Sequence, residues 1–255
     1  MTTDIKTVII HACPRSATKN LQQNFTSYLK ATGQTVAGTA TSLDDVLDIG
    51  NNEKDINHNV TKTLIGYDEN GALWGNRPLP VHCKIELLHR FSLLMNSNDA
   101  WVSKRYNWLN NDPLLDISSN FIDKNVVVIR KDKFDHALSL SMARQLDLWW
   151  PSNDMTAAIE KYKESPFGID LSIFIDEYIH IVRWNRLKYP DNFQIIYFDD
   201  MIKLDSAAEF CSFFNLEYIE FPFNKFEIEY GSNKTEMVAN LEVIKKIVTV
   251  LNKHI

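Results

Sequence analysis

Cysteine is scarce in this sequence. Cys13, Cys83 and Cys211 are the only three in 255 residues, and no two are close enough to form a CxxC pair. That odd, scattered set excludes a disulfide framework and points to a reducing compartment, so a cytoplasmic location is expected. Positive charge is also short: 27 Lys and Arg against 33 Asp and Glu leave a net charge of −6. A general nucleic-acid binder would carry a basic face, so nucleic acid is not an expected partner. No apolar run is long enough for a membrane span. The N-terminal MTTDIKTVII lacks the basic start, apolar stretch and small-residue cleavage site of a signal peptide. The nucleotide loop GxxxxGKS/T is missing as well, and no metal site is expected.

What is present is material for a packed core, with 45% hydrophobic and 24% charged residues. Lys6 to Ile10 is β-branched and predicts a buried first strand. From Thr18 to Ala31 the apolar positions Leu21, Phe25, Tyr28 and Leu29 recur at helical spacing, and Gly33 stops the helix. NVVVIR (125–130) reads as a central strand running into a helix over 131–150. Helices are expected at Met155 to Glu164 and Leu171 to Lys188, with a strand over FQIIYF (193–198). A short helix at SAAEFCSFFNL and a C-terminal one from Glu236 to Asn252 follow. VHCK (81–84) suits either a short strand or the start of a helix. Strands alternating with helices predict an α/β fold, a central parallel sheet flanked by helices on both faces. No linker breaks the chain, so residues 1–255 are expected to form a single domain. The polar, turn-rich stretch Asn51 to Pro80 suits a lid or acceptor-binding loops.

The segment TVIIHACPRSATKNLQQNF (7–25) joins a strand to a helix through a small polar loop. Such a loop offers backbone N–H groups and the positive end of a helix dipole to an anion. Arg15 adds a cation, and Ser16 and Thr18 add hydroxyls. A plainer reading is a turn capped by Ser16 or Thr18.

At PRSAT the loop resembles the 5′-phosphosulfate loop of the sulfotransferases, which take a sulfuryl group from 3′-phosphoadenosine 5′-phosphosulfate (PAPS). That pattern runs Pro, Lys or Arg, Ser, Gly, Thr, then Thr or Ser. Pro14, Arg15, Ser16 and Thr18 match it; Ala17 stands in place of Gly, and Lys19 in place of the last hydroxyl residue. The resemblance implies a P-loop-like sulfotransferase fold, with Pro14 through Thr18, Lys19 and Asn20 on the donor. No metal is implied, because side-chain cations and backbone donors can carry the charge of a sulfuryl group.

A second motif agrees. The family binds the donor's 3′-phosphate with an Arg at a strand end and a Ser on the following helix. Here Arg130 is followed nine residues later by Ser139. That spacing resembles the bacterial trehalose 2-sulfotransferase-like subgroup, whose pattern also meets Asp132, Ala137, Ala143, Gln145 and Trp149. LKATGQTVAG (29–38) is similar to that subgroup's ATGVAG run. IIYFDDM (195–201) resembles a family strand, with Tyr197 and Asp199 read as structural. SNKTEMV (232–238) places Lys234 where the family has a donor-binding C-terminal loop.

The resemblance implies a PAPS-dependent sulfotransferase acting on a hydroxyl of a carbohydrate or small-metabolite acceptor. Arg15 would steady the leaving phosphate, and a base would take the acceptor's proton. The subgroup's Glu after ATGVAG is absent, and Asp44 and Asp45 lie a few residues beyond it. HCKIE offers Lys84 and Glu86, two apart and so on one face of a strand, with His82 on that face too. Glu86 ranks first as the base, then Asp44 and Asp45, with Lys84 on the sulfuryl group. Two other readings stay open: a P-loop nucleotide kinase, and a non-catalytic nucleotide-binding or interaction protein on the same fold. KKIVTV near the C-terminus is similar to a sulfotransferase dimer motif and suggests a homodimer.

Overall fold

The structure is a computed structural model that describes residues 5–36, 99–105, 122–147, 153–226 and 234–254. Its strands are β1 (Thr7–Ala12), β2 (Trp101–Arg105), β3 (Lys124–Ile129) and β4 (Phe193–Tyr197). Its helices are α1 (Thr18–Ala31), α2 (Lys133–Leu146), α3 (Asn153–Glu164), α4 (Leu171–Trp184), α5 (Phe198–Met201), α6 (Ala207–Phe213) and α7 (Leu241–Leu251). The chain forms two compact units, each from two segments: Met1–Ile129 with Lys188–Phe226, and Arg130–Leu187 with Glu227–Ile255.

The first unit is built on a four-stranded sheet in the order β2-β1-β3-β4, parallel at every pairing. Alternation assigns Val8, Ile10 and Ala12 of β1, Val126 and Val128 of β3, and Ile196 of β4 to one face. They form one core with Leu21, Phe25, Tyr28 and Leu29 of α1 and with Phe210, Cys211 and Phe214 in and after α6. The opposite-face residues Ile9, His11, Asn125 and Val127 are buried too. Burial on both faces is why these strands read as nearly continuous apolar runs. Among the opposite-face residues, His11 Nε2 and Asn125 Oδ1 satisfy each other at 3.0 Å, and the imidazole stacks on Phe193.

Helix α1 covers the core with a stripe at helical spacing and stops at a glycine for a clear reason. Gly33 sits at φ 86, a conformation with little steric cost only when there is no Cβ. Its N–H then reaches Lys30 O at 3.0 Å, while Gln34 N–H reaches Leu29 O at 3.2 Å. That pair of bonds satisfies two of the carbonyls left open at the helix end.

Several expected boundaries shift. β2 had no counterpart in the sequence reading, and β4 ends at Tyr197 because Phe198 turns into the core at the start of α5. α4 ends at Trp184 rather than Lys188. α7 starts at Leu241, not Glu236, because the preceding residues are engaged elsewhere. Val238 bridges to Phe167, and the Asn240 side chain bonds both the N–H and the carbonyl of Ile169.

Lys124 opens β3 and donates from Nζ to Phe214 O, the carbonyl at the C-terminal cap of α6, at 2.7 Å. Burial pulls its pKa down from 10.5 to about 8. A lysine with a depressed folded pKa binds fewer protons folded than unfolded between those values, so stability should rise with pH across that window. Urea denaturation from pH 8 to 10 should show the rise in the wild type and a smaller one in Lys124→Met. Equal slopes in the two proteins would assign the effect to other groups.

In the second unit, α2 and α4 pack with Phe134 against Phe174, ring centroids 6.0 Å apart. Asp132 caps α2 by accepting from Asp135 N–H, and Asp170 caps α4 by accepting from Ser172 and Ile173 N–H. Gln145 ties the end of α2 to the start of α4: its amide donates to Gly168 O and accepts from Asp170 N–H, both at 2.8 Å. The buried Glu177 carboxylate of α4 takes Arg144 of α2 at 2.8 Å. KKIVTV lies in α7, where Ile244 is buried while Val243 and Val250 are exposed.

Candidate functional site

In a parallel sheet, ligands gather beyond the carboxyl ends of strands, where the chain departs to opposite sides. β1 is such a strand, flanked by β2 on one side and β3 on the other. The loop after it, Cys13 to Ala17, carries the PRSAT motif.

The backbone of this loop twice enters the left-handed region, at Arg15 (φ 66) and at Ala17 (φ 52). Ala17 is the N-cap of α1 and supplies no side-chain bond to the helix. The expectation that Ser16 or Thr18 caps the helix is therefore corrected. The cap position falls on a residue with no polar side chain, so the open N–H groups of the first turn gain no oxygen from it. A left-handed non-glycine residue costs about 1–2 kcal/mol, which explains why Gly suits this position in the resembling pattern. This chain keeps the conformation with an alanine.

Ser16 is 1% exposed, and its Oγ has no hydrogen-bond partner among the described residues. A buried hydroxyl without a partner costs about 1–3 kcal/mol, so an isolated one in a native fold calls for an explanation. Thr18 is buried beside it at the first position of α1, Pro14 and Arg15 are half-buried, and Lys19 is exposed. Asn20 donates to Lys225 O at 2.7 Å, and Asn24 exchanges two bonds with Asn224. Asn20 therefore tethers the 224–225 segment to α1.

The second cluster lies within the other unit. Arg130 directly follows β3 and is buried; its Nη2 meets Asp135 Oδ2 at 2.6 Å. Lys234 Nζ reaches the same oxygen at 2.5 Å and is also buried. Asn185 Nδ2 holds the Arg130 carbonyl at 2.9 Å. Burial lowers the pKa of Lys234, and the Arg130 guanidinium pushes it further down, while the bond to Asp135 opposes both. Two cations share one carboxylate oxygen, and Asp132 adds a second negative charge that acts on Lys234. Ser139 is buried on α2, one turn beyond Asp135 and on the same helix face.

Sequence reasoning singled out Arg130, Ser139 and Lys234 but not Asp135, the residue that joins two of them. No local pattern marks a carboxylate as the partner of a lysine about a hundred positions away. Among the other motif positions, Asp132 and Gln145 have structural work as cap and clamp, and Ala137 and Ala143 are fully buried. Asp44, Asp45, His82, Lys84, Glu86 and Trp149 lie outside the described residues. Among the described residues, no group of His, Cys, Asp or Glu is arranged to hold a metal. No helix among them is long and apolar enough to cross a membrane.

The fold and these clusters define a parallel α/β protein with two candidate anion subsites, one in each unit. No family model matches the sequence, and no curated protein matches it. Among solved structures, the sulfotransferase domain from the curacin biosynthetic pathway is similar, with a TM-score of 0.42 and 12% identity, over 92% of this chain and 83% of that one.

Proposed function

We propose that this chain is a sulfotransferase that moves the sulfuryl group of PAPS to a hydroxyl of a carbohydrate or small-metabolite acceptor. The observation that carries this reading is the buried Ser16 hydroxyl, without a partner among the described residues, at the start of α1 where Ala17 offers no side-chain cap. An oxygen-rich anion would satisfy it together with the N–H groups of the first helical turn. The motif narrows the anion to the 5′-phosphosulfate of the donor. Arg130, Ser139 and Lys234 are assigned to the 3′-phosphate, where two buried cations stand on one carboxylate oxygen.

In the reaction, the acceptor oxygen attacks sulfur as the bond from sulfur to the bridging phosphate oxygen breaks. 3′-Phosphoadenosine 5′-phosphate (PAP) leaves, and a base takes the acceptor's proton. Arg15 stabilises the charge that grows on the leaving phosphate. Glu86 is the proposed base, with Asp44 and Asp45 as alternatives and Lys84 on the sulfuryl group.

PAP should stabilise the fold with no metal present, by about 2.7 kcal/mol at a concentration of 100 times Kd. Thermal unfolding with PAP, ATP and magnesium-ATP measures this directly. Ser16→Ala should be no less stable than the wild type without ligand, since it removes an unsatisfied hydroxyl, and should gain less from PAP. A shift with magnesium-ATP and none with PAP would sink the sulfotransferase reading in favour of a kinase.

A further inference from the structure

We propose that Asp135 is a positioning residue: it holds Arg130 and Lys234 side by side as one anion receiver and so sets the discrimination for nucleotides that carry a 3′-phosphate. This rests on the donor reading above and adds a residue which the resembling pattern leaves unspecified.

The geometry gives the reason. A guanidinium and an ammonium, both buried, repel each other, and nothing in their own chemistry keeps them adjacent. Asp135 Oδ2 accepts from both, at 2.6 Å and 2.5 Å. The carboxylate stands on a fixed support, because the Asp135 N–H is bound by Asp132 Oδ1 at 2.8 Å in the first turn of α2. Arg130 is held at its other end by Asn185. Lys234 comes from a distant part of the chain, and its ion pair with Asp135 is a fixed point for that segment on α2.

Lys234 carries three N–H donors and gives one of them to Asp135. Asp135 relieves the repulsion between the two cations, and Asp132 adds a second negative charge that acts on Lys234. The alternative is that Asp135 only neutralises charge. In that case it competes with the phosphate, and removing it would strengthen anion binding. The two roles predict opposite signs.

The test compares the affinity of the full chain for PAP with that for AMP, which differs only in lacking the 3′-phosphate. Calorimetry is done at a temperature where every variant is folded. The wild type should prefer PAP. Asp135→Asn should lose about tenfold in PAP affinity, the scale of one charge-assisted hydrogen bond, with AMP affinity nearly unchanged. Asp135→Glu, which keeps the charge but moves it by one methylene, should restore part of the preference. A merely structural role would weaken both ligands together, leave their ratio unmoved and overturn the proposal. Tighter PAP binding by Asp135→Asn would overturn it too, in favour of neutralisation. If Asp135→Asn does not fold, Asp135→Glu still decides: an unaltered ratio of PAP to AMP affinity counts against positioning. A wild type that binds PAP and AMP equally would remove the donor reading itself, and this proposal with it. That outcome is seen before any variant is made.

Discussion

Arg15→Met is expected to slow sulfuryl transfer from PAPS by about 10² to 10³-fold, the usual cost of removing one preorganised donor to developing charge. Negative charge moves onto the leaving phosphate as the sulfur–oxygen bond breaks, so a fixed cation there binds the transition state better than the ground state. The loss should fall on kcat more than on the affinity for PAP. Methionine is a fair replacement. It is unbranched at Cβ like arginine, fills similar space, and meets the same positive φ of 66 that Arg15 already tolerates. Thermal unfolding should change little, and single-turnover measurements with labelled PAPS would give the rate. Full turnover by Arg15→Met would remove this residue from the chemistry. An equal loss in PAP binding and in rate would make it a binding residue only.

The parts of the fold that were legible in the sequence are those whose physics is local. α1 reads directly because Leu21, Phe25, Tyr28 and Leu29 recur at helical spacing and Gly33 ends it with a left-handed turn. β1 and β3 read directly because strands buried on both faces are runs of Val and Ile. β2 did not, because WVSKR holds two apolar residues followed by Ser, Lys and Arg, and it gains strand character by pairing with β1. The early start assigned to α7 failed for a related reason. Val238 and Asn240 continue a helical pattern, but tertiary bonds to Phe167 and Ile169 hold them outside it.

The candidate site divides along the same line. PRSAT and the Arg130 to Ser139 spacing are short patterns, and they can be seen without a structure. That Ala17 takes the N-cap in a left-handed conformation, with the Ser16 hydroxyl buried and without a partner among the described residues, depends on how the loop turns. The pairing of Lys234 with Asp135 joins residues about a hundred positions apart, and only the folded chain brings them together. The motif therefore named the candidate residues, while the folded chain supplied the ion pairs that Arg130 and Lys234 make with Asp135.

Glu86→Gln should cost more than any other single change, because proton removal from the acceptor hydroxyl is the step with the fewest substitutes. Loss of a general base costs about 10² to 10⁴ in rate. Lys84 and Glu86 are two apart, so in a strand they share a face, and one can steady the sulfuryl group while the other takes the proton. PAP affinity should stay intact in Glu86→Gln, since a general base works on the acceptor and not on the nucleotide. Asp44→Asn and Asp45→Asn are the matched controls, placed just past the first helix where the resembling subgroup carries its Glu. Full turnover in Glu86→Gln with a large loss in either Asp variant would move the base to that segment. Activity in all three would leave proton transfer to another residue or to bound water. A wild type that binds PAP tightly but turns over no PAPS with any hydroxyl acceptor in a broad library would favour the non-catalytic reading. In that case the alanine at position 17 and the lysine at position 19 become the first changes to reverse, because they are where the loop departs from the sulfotransferase pattern.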